Sequence, residues 1–323
     1  MPKVSVIIPV YGVEKYIERC AISLFEQTLD DIEYIFVDDC TPDRSMEILG
    51  RIIENYRLRF AEKKYTVRTE RMFMNSGQAA VREHGMKLAT GDYIIHCDSD
   101  DWVDTKMYRA MYEEAITKNA DVVVCDYDMT DGVSYNKRVN ACHSSTPKQL
   151  IENCLFQKDP WSVCNKLVKR TTYGNITYPQ GAMGEDMVIT LQILWNCKTI
   201  TYIPQPFYKY FYNPESITKV ITRKSCIKQF EQLSANTEII MNFLQDKQTE
   251  GSFAEALVVY KNAIRAVLYP LVYDKYYYKK WNNMFTGLNF QVFCSKHICV
   301  TEKIRVLLTI LHLYPRKQFR VCK

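Results

Sequence analysis

The sequence predicts an α/β protein: a mostly parallel sheet with helices on both faces, followed by a helical extension. Three observations carry this expectation. Short apolar, β-branched runs alternate with stretches of helical period through residues 1–130. Those runs are continuously apolar, as strands buried on both faces are, rather than alternating in polarity. Beyond about residue 223 only helical periodicity remains.

The elements follow in order. VSVIIPV (4–10) is the first strand, and 14–27 a helix with Tyr16, Ile17, Cys20, Ala21 and Leu24 on one face. EYIFVDD (33–39) is the second strand; Ser45 is placed to cap the next helix, whose inner face is Ile48, Leu49, Ile52 and Ile53. YTVRTE (65–70) is a weaker strand, 78–89 a helix closed by Thr90-Gly91, and YIIHCD (93–98) a strand. A helix over 105–118 and the strand ADVVVCDYDM (120–129) complete the regular part. From 144 the alternation fades into a helix at 147–156, an aromatic and Gly-containing stretch, a helix from Glu185 to about Trp195, and a strand pair around 200–212. Helices are expected at 224–245, 252–268, a Tyr-rich stretch near 275–294, and 301–312.

Composition narrows the functional classes. Hydrophobic residues make up 47% and charged residues 24%, ordinary for a globular protein. No apolar run approaches the roughly 20 residues that span a bilayer, and the N-terminal VSVIIPV lacks a cleavage site, so it reads as a strand rather than an export signal. The twelve cysteines are scattered and none forms a Cys-x-x-Cys, which fits reduced, buried thiols in a cytoplasmic protein and disfavours zinc. Net charge is +5, but residues 224–323 carry 15 Lys+Arg against 7 Asp+Glu while the first 223 are net acidic. The body is therefore no nucleic-acid-binding surface. With neither a Gly-x-Gly-x-x-Gly after the first strand nor a Gly-Lys-Ser/Thr anywhere, a dinucleotide enzyme and a P-loop ATPase are also disfavoured.

In parallel sheets ligands bind beyond the strand carboxyl ends. Pro9-Val10-Tyr11, Asp38-Asp39 and HCDSDDW (96–102) all fall there, so three chemically loaded turns are expected to line one crevice. The last puts Asp98, Asp100 and Asp101 within four positions, where like charges raise one another's pKa unless a cation intervenes. Mg²⁺ or Mn²⁺ would answer that, as hard cations prefer carboxylate, water and phosphate oxygens. The competing reading is an Asx turn, or Asp100 or Asp101 as cap of the helix near 105.

Together, VSVIIPVYGVEKYI, YIFVDDCTPDRS, MNSGQAAVREHGMKLATGDYI and HCDSDDWV resemble the inverting glycosyltransferases of family 2, with the GT-A nucleotide-diphospho-sugar transferase fold. GED at 184–186 and Tyr208-Lys209-Tyr210…Ser216 extend the match over about two-thirds of the chain. The resemblance implies that 1–223 is the catalytic domain, with a nucleotide-binding half (1–104) and an acceptor-side half (105–223), and 224–323 a basic helical extension. It implies that Pro9, Tyr11 and Glu14 shape the base pocket, that Asp39 accepts from the uracil imide, and that Asp38 supports the turn. Asn75 and Gly77 would admit the ribose, and Arg82 would brace the acidic turn. Asp98, Ser99 and Asp100 would meet the diphosphate, with Asp98 and Asp100 on the metal and Asp101 behind them. Asp186, beside Glu185, would be the general base; the competing reading is an acidic helix start favoured by the macrodipole.

The implied activity is transfer of a hexosyl or N-acetylhexosaminyl group from a UDP-sugar to a saccharide or lipid-linked hydroxyl, in polysaccharide assembly. Departures from the family pattern are Cys40 where Gly is usual, Gly12 for Asn, and Glu83 after Arg82. A silent scaffold and a sugar-nucleotide pyrophosphorylase are the rivals; retention of Asp39, Asp98, Asp100 and Asp186 opposes the first, and YGVEKY lacks the Gly-rich basic loop of the second. His96 reads as a packed core histidine, Trp161 and Lys166 as acceptor-flanking or packing, and Tyr276-Tyr277-Tyr278 as a helix surface. KIRVLLTILHLYPRKQFR (303–320) is a candidate for peripheral contact with the inner membrane face, for docking on the body, or for self-association.

Overall fold

The computed structural model describes residues 1–180, 183–212, 222–245, 247 and 250–313. In chain order the elements are β1 (Val4–Val10), α1 (Ile17–Phe25), β2 (Ile32–Asp38), α2 (Ser45–Asn55), α3 (Arg57–Lys63), β3 (Thr66–Arg71), α4 (Gln78–Leu88), β4 (Tyr93–His96), β5 (Trp102–Val103), α5 (Met107–Lys118), β6 (Val122–Thr130), β7 (Asn136–Val139), α6 (Pro147–Leu155), β8 (Lys166–Lys169), α7 (Arg170–Tyr173), α8 (Glu185–Asn196), β9 (Ile200–Phe211), α9 (Arg223–Leu244), α10 (Ser252–Ala266), α11 (Lys275–Asn283), α12 (Leu288–Cys294) and α13 (Val300–Ile310). The chain forms two compact units, residues 1–151 with 159–212, and 152–158 with 213–323.

The first unit is built on one sheet of order β3-β2-β1-β4-β8-β6-β9-β5, with β7 on β6. Its half from β3 to β4 is parallel, and β6 pairs β9 in parallel. The joins through β8, β5 and β7 are antiparallel, so the second half of the sheet is mixed. The parallel half explains the unbroken apolar runs: β1 is nearly all buried and β2 entirely so, covered on both faces. Pro9 is tolerated in an interior strand because the β1–β4 register ends at Ile7, before the missing N–H would be needed on that side. α1 buries Ile17, Cys20, Ala21, Leu24 and Phe25, the face its spacing marked. The carboxylate of Glu33, buried within β2, takes hydrogen bonds from Ser5 Oγ and the Thr90 amide.

Local expectations met two corrections and one addition. Ser45 is the first residue of α2, not its cap; Asp43 accepts from the Ser45 amide and hydroxyl, while Ser45 Oγ accepts from the Val13 amide. Gly91, which with Thr90 follows the end of α4, also meets a packing demand. A Cβ there would lie 2.7 Å from the Ser5 backbone nitrogen, so glycine is required by strand packing. The strand pair at 200–212 is one strand, β9, whose register against β6 slips around Asp126 and Pro206.

The second unit has its own core around Trp281, Phe230, Leu268, Leu271 and Val306. Residues 213–221 lie outside the described residues, as do Ser216 and the basic cluster Arg316, Lys317 and Arg320. Tyr276 is exposed on α11. All described cysteines are free thiols. Among the described residues no helix is long and apolar enough to cross a membrane.

Candidate active site

The carboxyl ends of β1, β2 and β4 and the loop entering α4 bring most of the expected residues together. Tyr11 follows β1 with its ring half exposed, and Pro9 closes the strand behind it. The Glu14 carboxylate accepts from the Arg44 amide at the start of α2. Asp38 accepts from the Thr41 amide at 2.7 Å and pairs with Arg71, supporting the turn. Asp39 also has structural work, since its two oxygens accept from the amides of Ser76 (2.7 Å) and Gly77 (2.9 Å). Asn75 adds a bond from its amide to the Asp39 carbonyl. The β3–α4 loop is thus strapped to the end of β2, and Gly77 begins α4 at φ +82°, where a side chain would be strained. Cys40 sits at φ +57° with its thiol on the Met72 carbonyl, an L-residue in the conformation that favours glycine.

The acidic turn separates its three carboxylates by environment. Asp101 is buried and fully bonded, accepting from the Tyr208 hydroxyl and the Phe211 amide. Tyr208 Oη in turn accepts from the Asp98 amide at 3.1 Å. The Asp98 carboxylate accepts from Gln78 and from Arg82, both at 2.8 Å. Asp100 has no such donor from another residue among those described; burial and then the Asp98 charge push its carboxyl up to about 6. Ser99 is buried, its side chain away from solvent.

Arg82 links this turn to α8. Its guanidinium is 1% exposed, with Nη2 also 3.9 Å from Asp186 Oδ1 and 4.0 Å from Glu185 Oε1. Burial disfavours its charge, but Asp98, Asp186 and Glu185 outweigh that and hold it ionised. Burial likewise raises Asp186, against the pull of Arg82, and Asp186 Oδ1 has no hydrogen-bond donor among the described residues. Burial raises Glu185 as well, and the neighbouring Asp186 charge adds to it. Lys166 is buried and tied to the Pro160 and Ser162 carbonyls, a packing role, while the Trp161 carbonyl accepts from Thr190. His96 is a core residue against the Tyr173 hydroxyl.

The turn suits a hard divalent cation. Asp100 offers a carboxylate without a protein donor, and Asp98 a second that only partly faces Arg82. Among the described residues no three acidic, His or Cys groups form a closed cage, so diphosphate and water would fill the remaining positions. Sequence reasoning missed Gln78 and Arg19. The one signal for Gln78 is its place directly after Asn75-Ser76-Gly77, where α4 starts toward the turn.

Fold and site together define a GT-A-type protein. Over 97% of this chain and 88% of the other, it superimposes on Staphylococcus aureus TarS 1–349 in complex with UDP-GlcNAc, at TM-score 0.71 and 17% identity. The mannosyltransferase PcManGT of Pyrobaculum calidifontis, solved with GDP-Man and Mn²⁺, shares the fold at TM-score 0.51 and 13% identity over 98% of this chain and 88% of its own. The chain belongs to glycosyl transferase family 2, whose family model matches residues 5–182. It is 31% identical over 229 residues to the uncharacterized glycosyltransferase EpsJ of Bacillus subtilis, covering 68% of this chain and 64% of EpsJ. It is 24% identical over 255 residues to the glycosyltransferase GlyA of Streptococcus pneumoniae, covering 74% of this chain and 35% of GlyA. It therefore spans less than two-thirds of either relative.

Proposed function

We propose that this chain is an inverting, cation-assisted glycosyltransferase. It would move a sugar from a nucleotide-sugar, a UDP-sugar by preference, to a hydroxyl of a saccharide or lipid-linked acceptor. The observation that carries the reading is the meeting of Asp98 and Asp186 on the one buried guanidinium of Arg82. The leaving-group end and the base end of a displacement are thereby held a few ångströms apart.

The residues divide the work. Tyr11 offers an exposed ring to the base, and the strapped loop 75–77 presents backbone to the ribose. Asp98 and Asp100 would hold Mg²⁺ or Mn²⁺, which when bound neutralises charge on the departing diphosphate. Asp186 Oδ1 accepts the acceptor's hydroxyl proton as that oxygen bonds to the anomeric carbon. The bond from that carbon to the diphosphate breaks in the same step, and the nucleoside diphosphate leaves with the electron pair. Raised by burial, Asp186 is a stronger base than an exposed aspartate. Glu185, also raised, spends more of its time neutral and leaves Arg82 to Asp186 and Asp98. The UDP-GlcNAc of the TarS complex and the GDP-Man and Mn²⁺ of PcManGT support this donor class and cation. The proposed setting is cytoplasmic, with the basic segment of 303–320 resting on the inner membrane face.

The test is nucleoside diphosphate release from a panel of UDP- and GDP-sugars with Mn²⁺. Asp186→Asn should lower kcat about a hundredfold or more while leaving nucleotide binding in place. Undiminished turnover in that variant would remove Asp186 from the mechanism.

A further inference from the structure

The acidic turn is held from behind by a cation that none of the expected motifs contains. Arg19, on α1, donates from Nη2 to the main-chain carbonyl of Asp100 at 2.9 Å. Its guanidinium carbon lies 3.7 Å from the centre of the Trp102 ring and 4.8 Å from that of Phe211, so the group is caught between two aromatic faces. The same Phe211 supplies the amide that holds Asp101, and Trp102 is the residue after it. Gly132 approaches this stack, its absent Cβ 3.6 Å from both Arg19 Nη1 and the Trp102 ring. Arg19 Nε is buried without a hydrogen-bond partner among the described residues.

What matters is where the charge goes. Arg19 could have bonded the Asp100 carboxylate; instead it binds the carbonyl and leaves the carboxylate without a hydrogen-bond donor among the described residues. We infer that Arg19 is a positioning residue for the nucleotide-diphosphate site: it pins the Asp100 main chain while keeping that carboxylate free for a divalent cation and its diphosphate. The inference rests on the function proposed above and deepens it. Since Arg19 touches no reacting atom, it acts on donor binding and not on proton removal.

The experiment is calorimetric titration of the full chain with UDP, and separately GDP, at saturating Mn²⁺, alongside thermal melting. Arg19→Gln removes a charge-assisted bond and a flat cation between two rings, and should weaken Mn²⁺·UDP binding about tenfold or more. Arg19→Lys, which keeps charge but not the flat stack, should recover part of it. In turnover, donor KM should rise while acceptor KM and kcat hold. In an Asp100→Ala background Arg19→Gln should cost little further, because the pinned carboxylate is gone. Unchanged UDP affinity in Arg19→Gln overturns the inference, and so does an equal loss in the Asp100→Ala background, which would mark Arg19 as packing alone. A parent chain that binds neither UDP nor GDP with Mn²⁺ overturns the proposed function and this inference with it.

Discussion

Replacing Arg82 by Met is the sharpest perturbation available, because the side chain is 1% exposed and serves three carboxylates. At 2.8 Å from Asp98 and 3.9 Å from Asp186, gross attraction at an effective dielectric near 20 is about 6 and about 4 kcal/mol. Most of this is cancelled by the desolvation of the guanidinium. What remains when one partner of a buried pair is removed is typically about 3–5 kcal/mol, the cost of the charges left behind. Among the described residues Arg82 Nε and Nη1 are buried without hydrogen-bond partners, and deleting them returns about 1 kcal/mol or more. The expectation is therefore about 3 kcal/mol at pH 8, a large share of a typical stability of about 5–15 kcal/mol. The loss should depend on pH. Burial already raises Glu185 and Asp186, and without Arg82 they lie further above their unfolded values near 4. Groups raised on folding contribute stability that falls as pH climbs from the unfolded value through the folded one. Arg82→Met should accordingly recover between pH 8 and pH 5, where these carboxyls can hold protons, and Arg82→Lys should lose less at every pH. Urea denaturation followed by circular dichroism at pH 5, 6.5 and 8 reads this directly. A penalty below about 1 kcal/mol, flat across that range, would refute the view that Arg82 neutralises the cluster.

Two further perturbations test local chemistry away from the reaction. Cys40→Gly and Cys40→Ala both remove the thiol, but only glycine is relaxed at φ +57°, so the glycine variant should be the more stable by about 1 kcal/mol in urea midpoint; equal midpoints would mean the turn carries no strain. Asp43 is held at about 2: burial pushes it up, but the Ser45 and Thr41 hydroxyls and the Glu14 and Ser45 amides outweigh that. A depressed carboxyl stabilises above its unfolded value near 4, and that stability is lost as pH falls toward 2, here about 1 kcal/mol after allowance for solvent. Carboxyl NMR should place its midpoint well below that of a free aspartate, and a normal midpoint would show the α2 entry bonds do not persist.

The β1, β2 and β4 ends were legible because each is a short, mostly apolar run stopped by polar or acidic residues, the pattern of a strand covered on both faces. Glu185 and Asp186 were legible through the motif order, since nothing local distinguishes them from any acidic helix start. β9 was read as two pieces because Pro204 and Pro206 interrupt its pattern, and only the slipped register opposite Asp126 lets one strand run through. Ser45 was mistaken for a cap because the acceptor at the start of α2 is Asp43, two residues before it, which takes the Ser45 amide and hydroxyl. Arg19 had no local mark at all, and Gln78 only its place after Asn75-Ser76-Gly77. Their importance comes from what β5, β9 and the acidic turn bring to them, over sequence separations no periodicity can report.

The crowding of carboxylates at the end of β4 becomes intelligible once each is assigned its donors. Asp101 spends its charge on a tyrosine hydroxyl and a backbone amide, and Asp98 on Gln78 and Arg82. Among the described residues, Asp100 is the one of these three acids whose carboxylate has no donor from elsewhere, and across the crevice Asp186 Oδ1 is short of one too. Asp38 and Asp39 repeat the division at the neighbouring strand, where amides of the following loops take up their oxygens. Asp38, Asp39 and Asp101 build the loops, while Asp100, with the Asp98 oxygen that neither Gln78 nor Arg82 bonds, is left for a cation and Asp186 for a proton. Because the two kinds sit on adjacent residues of one turn, Asp101→Asn should damage the site through the position of β9, whereas Asp100→Asn should leave the fold intact and remove the cation alone. Equal effects of the two on both melting temperature and Mn²⁺·UDP affinity would contradict that division.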